Sequence, residues 1–457
     1  MRIRTRPDAR GSAFVITLLT AAVIGIAMAS YLALVSHQHR SHMRSLAWNS
    51  CIPVLESGIE EALAHIHYKG TQLHRGITAP LLANGWQLGL DGRFYKGPRQ
   101  VGTDGSYYEV SIQAVHPPII EASGYVPAPL APAPLGMIQG GSQPTLFVKR
   151  KVRVTTKGRP FWSGVLLAKG AIKLNGNGIA TDSFDSSETP NGQYHPAYAR
   201  DNGDVGTTGG LINAGNADIK GDLSTAPGGS AKVGKNGSVG DTKWVDGNNS
   251  GIQDGHFRDD VNIDIPDVDL PPAFAAAPRV YPGINLIGPG LTNFTYSLVG
   301  SAAGDPLYFK SSSLSGKVHV KGNVALLVND AFTLGSKDYI YVEPGSKLTV
   351  YVAAKETTIS GSIYVDTALN FTYFGLNSNK AIKFNGNGQF TGAIYAPHAE
   401  FTMSGGGSNA IDFIGAAVVK TISMNGHFNF HFDEALAKLA PQDYVMNSWD
   451  ELDPNAP

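Results

Sequence analysis

Ala171-Ile-Lys-Leu-Asn-Gly-Asn-Gly178 and Ala381-Ile-Lys-Phe-Asn-Gly-Asn-Gly388 are the same octapeptide save for one apolar exchange, in a chain of 457 residues. Around the second copy a shorter unit recurs. An apolar residue followed by Ser or Asn and then Gly stands at Ile359, Phe384, Met403 and Met424. Glycine followed by a small apolar strand recurs as Gly361-Ser-Ile-Tyr-Val, Gly392-Ala-Ile-Tyr-Ala and Gly415-Ala-Ala-Val-Val. Such spacing marks an array in which one unit cannot bury its apolar face alone and must stack on its neighbours. Glycine and asparagine accept the positive φ of a corner. Between corners, alternate side chains point inward and stack on the next unit. The body over 161–435 is therefore expected to be a right-handed parallel β-helix, a solenoid, with loop insertions over about 187–310. A β-sandwich with glycine-rich turns is the alternative, since both folds use short strands and turns.

Composition agrees with a mainly β chain. Glycine numbers 54, against a usual share of about 7%, and charged residues are 16% of the chain. The net charge of -1 gives no electrostatic reason to expect a nucleic-acid partner. The single cysteine, Cys51, forms no internal disulfide.

The N-terminus carries Arg2, Arg4, Arg6 and Arg10, with Asp8 the lone acid, and then 13–35 has no charged side chain. As a helix that run spans roughly 34 Å, enough for a bilayer core of about 30 Å. A cleaved signal peptide would be shorter. The leading arginines outweigh Arg40 and Arg44, which places the N-terminus in the cytoplasm and the body outside. A helical pattern continues over 45–67, and Pro53 is expected to kink or split it.

The basic leader, Gly11-Ser12, the apolar helix and the amphipathic stretch behind it resemble a type IV pilin-like protein. Leu55-Glu56-Ser57-Gly58-Ile59-Glu60-Glu61-Ala62-Leu63 resembles the PilX-type minor pilins more narrowly. The resemblance implies prepilin-peptidase processing between Gly11 and Ser12, and packing of the helix with pilus or secretion-system subunits. Most pilins carry a glutamate five residues past the cleavage point, and Ile16 stands there. That departure speaks against a major, polymerising subunit. Phe390-Thr-Gly-Ala-Ile-Tyr-Ala-Pro-His398 and Ser423-Met-Asn-Gly-His-Phe-Asn-Phe-His431 resemble a β-helical domain attached to some PilX-like proteins. No catalytic residues come with it.

The remaining organisation reads as follows. Residues 1–68 are leader, membrane helix and stalk; 69–160 are a small mixed β region; 436–457 are a C-terminal tail. Strands are expected over 107–115 and 146–156, with a proline-rich linker over 116–134 between them. In the second strand Lys149, Lys151 and Arg153 share a face. Residues 203–255, nearly all small and polar, are expected to be irregular, and 259–272 to be an acidic linker.

Candidate chemistry is thin. Gly229-Ser-Ala-Lys-Val-Gly-Lys235 nearly spells a P-loop, but Asn236 replaces the magnesium-holding hydroxyl and no helix pattern follows. His427, His431 and Asp433 alternate onto one strand face, and His37, His39 and His42 cluster beyond the apolar run; either set is a candidate metal site. Asp259, Asp260, Asp264, Asp267 and Asp269 lack a calcium-loop spacing. Polysaccharide cleavage needs clustered acids with an Arg or Lys base, and none is evident. Tyr364, Tyr373 and Tyr395 are candidates for stacking on an extracellular glycan. The expectation is a non-enzymatic, single-pass inner-membrane protein of the cell surface or pilus, without cofactor or metal, its body periplasmic or at the cell surface. A glycan-binding module and a polysaccharide-cleaving enzyme are the alternatives.

Overall fold

The computed structural model describes residues 10–66, 77–115, 117–128, 146–176, 178–285, 294–386, 388–405, 411–439 and 443–454. Arg2, Arg4, Arg6 and Asp8 of the leader, and residue 116 with 129–134 of the proline-rich stretch, lie outside them. The chain divides into two compact units. One comprises Met1–His67, Gly76–Lys157 and Tyr444–Pro457; the other comprises Tyr68–Arg75 and Gly158–Asp443.

In the first unit, a single helix runs Arg10–Ile66 with Pro53 inside it, so of the expected kink or split the split does not occur. Its C-terminal half is amphipathic: Ala47, Cys51, Val54, Leu55, Ile59, Ala62 and Ile66 are buried. These recur at three- and four-residue steps, with Val54 and Leu55 adjacent, on one face of a helix. They pack on a six-stranded antiparallel sheet of Gln87–Leu88, Arg93–Gln100, Tyr107–Gln113, Ile119–Pro127, Phe147–Arg159 and Asp443–Leu452. Gly124 permits the close approach. A side chain there would begin 2.7 Å from the Cys51 carbonyl oxygen. Two sequence expectations change here. Part of the proline-rich linker is strand Ile119–Pro127, and part of the C-terminal tail is the sheet's sixth strand.

The second unit is built from parallel ladders. One column of register partners runs Tyr296, Val318, Ile340, Ile363, Phe390, Phe413, Phe430, Thr181, Ile219, Val239 and Ile252. Nearly every member is apolar, and the members before Ile252 are buried. A second column runs Leu334, Ile359, Phe384, Met403, Met424 and Leu174. The apolar-(Ser/Asn)-Gly recurrence is thus a register. Gly415 shows why the glycines are needed. It lies at φ 130° with its Cα facing Gly392, and any Cβ would run into the Gly392 carbonyl oxygen.

The expected body, one open right-handed solenoid wound onward from the stalk, is overturned by this topology. The fold is mainly β with one N-terminal apolar helix, a six-stranded antiparallel sheet, and ladders whose spatial order is not chain order. Between Phe430 and Thr181 the column steps from the last strand of the unit to one of its first. The strands over 166–184 therefore lie between Ile411–Asp433 and the strands over 205–220. The reason is physical. A strand edge left at 166–184 would expose unpaired backbone groups, and the late strands cover it. The β-sandwich alternative is also set aside, because a sandwich is antiparallel and these ladders are parallel.

Two further differences follow. The polar stretch 203–255 is not irregular: it holds short ladder strands from Val205–Thr207 to Gly251–Ile252. The acidic linker is a docked strap. Ile265, Val268 and Phe274 are buried, Tyr395 donates its hydroxyl to the Pro266 carbonyl at 2.9 Å, and Val280 N–H reaches Lys310 O. This strap joins the strand Phe257–Arg258 to the strand Ile284–Asn285.

Candidate functional site: an aromatic groove beside a buried polar seam

Strands Lys317–Lys321, Tyr339–Val342 and Ser362–Tyr364 turn Val318, Val320, Ile340, Val342 and Ile363 inward. The alternate positions therefore point away from that core, and they are rich in aromatics, although His319 among them is itself buried. His319, Tyr341 and Tyr364 are successive register partners. The His319 and Tyr341 rings stack with centroids 5.7 Å apart, and Tyr339 meets Tyr364 edge-on at 6.0 Å. Tyr341 and Tyr364 remain 38% and 47% exposed. They line a groove of about 380 Å³ with Gln193, Tyr194, Asp366, Gln389 and Thr391. Asp366 is occupied structurally. Its Oδ2 accepts from Gly345 N–H at 3.0 Å, and its Oδ1 accepts from Thr367 N–H and the Asn370 amide.

The groove's Tyr194 belongs to a second arrangement, the seam between the first and last strands. Tyr194 donates to Asp182 Oδ2 at 2.7 Å, and its ring stacks on His431 at 3.5 Å. His431 Nδ1 lies 2.6 Å from Asp182 Oδ1, and Nε2 lies 3.6 Å from Asp412 Oδ1. Burial alone would lower the imidazole pKa, but hydrogen bonds to Asp182 and Asp412 outweigh it and hold the pKa above its ordinary value. Asp433 is fully buried and accepts from Ser186 N–H at 3.0 Å and Ala435 N–H, and burial pushes its carboxyl up. Glu434 binds Ser183, Arg200 and Asn202, and Lys438 pairs with Asp185. Charged groups from residues 182–202 thus meet others from residues 412–438.

The candidate residues named from sequence disperse accordingly. His431 and Asp433 serve this seam, and His427 does not join them in a ligand set. Among the described residues no three His, Cys, Asp or Glu converge to hold a metal. His37, His39 and His42 stand exposed along the helix. Asp267 pairs with His398 at 2.6 Å, and Asn377 also binds it. Residues 230–233 are a ladder strand, with no phosphate-binding turn-to-helix. Lys151 and Arg153 pair with Glu121, as does Arg93. Cys51 is buried, its thiol 3.4 Å from Val148 O, and burial pushes its pKa up, away from reactivity. Tyr373 and Tyr395 are core residues, and of the three tyrosines only Tyr364 faces out. Gly11 and Ser12 fall in the first turns of the helix, and Ile16 is exposed.

Sequence reasoning missed Tyr341, Gln193 and Gln389. The apolar-polar alternation over 339–342 could have flagged Tyr341. Nothing local could have joined Gln193 to strands that begin at Tyr339, far later in the chain.

In the stretch 55–63, Leu55, Gly58, Ile59 and Ala62 face the sheet. Glu61 reaches Lys96 at 3.2 Å, Arg99 at 2.5 Å and the Tyr108 hydroxyl at 2.8 Å. Burial would raise the Glu61 pKa, but these partners outweigh it and lower it.

The profile of a family described as a domain of unknown function, DUF7305, matches residues 300–439, under a third of the chain. None of the curated proteins matches the chain. Among solved structures, the competence-associated pilin ComZ from Thermus thermophilus superposes with a TM-score of 0.31 at 12% identity, covering 89% of this chain and 98% of that one. A superposition that loose carries no argument about fold or function.

Proposed function

We propose that this chain is a non-enzymatic, membrane-anchored structural protein of the cell surface or of a pilus-like assembly, with its N-terminus cytoplasmic and both folded units outside. One observation carries the reading. The helix from residue 13 to the mid-thirties is apolar on all sides and exposed on all sides, while its continuation is amphipathic and docked. The apolar window has a mean hydropathy of 2.3, with none of it buried. Water would oppose such a surface, and a bilayer or a bundle of like helices would accept it. Ile16 in place of an acid fits a minor or membrane-retained role. The lipid bilayer and pilus or secretion-system subunits are the partners this reading names.

The polysaccharide-cleaving alternative finds less support. Among the described residues the groove offers one carboxylate, Asp366, whose two oxygens are already engaged, and no lysine or arginine. Cleavage needs at least an acid and a base free to reach the bond.

Extraction tests the anchor. The full chain should stay with membranes through alkaline carbonate and leave only in detergent. A Leu18→Arg/Ile24→Arg variant should shift to the soluble fraction. Wild-type protein released by carbonate would overturn the reading. Mass spectrometry of the mature N-terminus separates a species starting at Ser12 from one retaining Met1.

A further inference from the structure

We propose that the groove bounded by residues 192–194 and the outer face of strands Tyr339–Val342 and Ser362–Tyr364 binds a neutral glycan. The proposal goes beyond membrane anchoring and does not depend on it.

The groove's surface is the first argument. Inward positions of these strands are aliphatic, so two tyrosines on outward positions are not required by the core. They occupy partnered positions on adjacent rungs, about 4.8 Å apart. Two partly exposed tyrosine rings one rung apart offer apolar surface to pyranose rings. Tyr194 also lines the groove, and its hydroxyl bond to Asp182 and its stacking on His431 hold it in place before any ligand arrives.

The polar lining is the second argument. The side-chain amides of Gln193 and Gln389 are exposed and make no hydrogen bond among the described residues, and each offers both donors and an acceptor. Hydroxyl groups, which also donate and accept, match them. A groove of about 380 Å³ with aromatic walls and a few polar groups falls in the range of small-ligand sites.

Charge narrows the ligand. Among the described residues no Lys, Arg or His lines the groove, so an anionic polymer finds no counter-charge there. The one carboxylate is spent on the Gly345 and Thr367 N–H groups and Asn370, so a cation finds little either. A wholly apolar ligand, with no donor or acceptor of its own, would cover the amides without pairing them, at the cost of unsatisfied polar groups.

The test uses the detergent-solubilised full chain in affinity electrophoresis. Gels contain hydroxyethyl cellulose, dextran, laminarin or galactomannan, with alginate as the anionic control. At least one neutral polymer should retard the protein. Tyr364→Ala and Tyr341→Ala should each weaken retardation about tenfold. Gln389→Leu should weaken it less, and Tyr281→Ala, an exposed ring elsewhere, should leave it unchanged. Thermal melts matching wild type would show that the variants fold. No retardation by any neutral polymer, retardation by alginate alone, equal retardation of the Tyr341→Ala/Tyr364→Ala variant, or displacement of bound polymer by a hexapeptide pool would each overturn the proposal. Detergent keeps the outcome separate from that of the carbonate extraction.

Discussion

The two units solve the same problem, a sheet with one face to bury, in opposite ways. The antiparallel sheet buries its inner face under a helix and neutralises its outer face with charge, as Glu121 does among Arg93, Lys151 and Arg153. Most of its strands pair with sequence neighbours, Arg93–Gln100 with Tyr107–Gln113 and that strand with Ile119–Pro127. Among the described residues the parallel unit has no covering helix of its own length. It buries each rung on the next, so like residues meet: Phe390 and Phe413 stack at 4.5 Å and 14°. The antiparallel sheet can tolerate a misfit at one strand. A stack in which each rung is the floor of its neighbour cannot, and its tightest backbone contacts set the limit.

Glycine replacement should break the symmetry of that comparison most. Gly415→Val forces a Cβ into the Gly392 carbonyl at positive φ, and should cost the parallel unit about 4 kcal/mol or abolish its folding. Gly97→Ala, in the antiparallel sheet with nothing within 4 Å, should change stability by no more than about 0.5 kcal/mol. Denaturant titration of the full chain measures both, and equal losses would refute the contrast.

Charge should separate the units next. Glu61→Gln removes the carboxylate that ties the helix to Lys96, Arg99 and Tyr108, at a cost of about 2 kcal/mol at neutral pH. The Glu61 pKa is lowered in the fold, so its contribution is full above the unfolded value of about 4.3 and is lost as pH falls through the folded value. The wild type and the variant should therefore converge in acid.

The smallest effect should run the other way. The His431 pKa is raised, so its ion pairs stabilise fully below the unfolded value of about 6.5 and fade as pH rises through the folded value. His431→Gln should cost roughly 1 to 2 kcal/mol at pH 6 and progressively less toward alkaline pH. A constant difference across that window would show that His431 is not charged in the seam.

What was legible in the sequence follows from distance along the chain. The recurrences at Ile359, Phe384, Met403 and Met424 are neighbouring rungs, and they fall in register as their spacing implies. The Gly361 recurrence fails the same test. Gly392 does partner Gly415, but Ile363 partners Phe390, not Ile394. The near-identical octapeptides are not direct partners either. They lie in one column, separated by the Phe401–Met403 and Ile422–Met424 rungs. The helix was legible because a charge-free run is a local property. The order of the ladders was not, because Asp182 and His431 meet across most of the second unit's length and neither residue advertises the other. The docking of the strap was hidden for a related reason. Its aspartates suggest solvent, and only the strands beneath it show that Ile265, Val268 and Phe274 are its inner face. Of the groove, Tyr364 was legible as a candidate, while its neighbours depend on the register.

The most direct test is a crosslink across that non-sequential step. Lys173 and Ser423 are exposed register partners on adjacent parallel strands, about 4.8 Å apart, within the reach of a disulfide. A Lys173→Cys/Ser423→Cys variant, with Cys51 buried as the only other thiol, should oxidise to an intramolecular bond, seen as a linked peptide pair by mass spectrometry while the protein stays folded. Failure of the two thiols to join under oxidation, in a protein whose melting matches wild type, would contradict the ladder order described here.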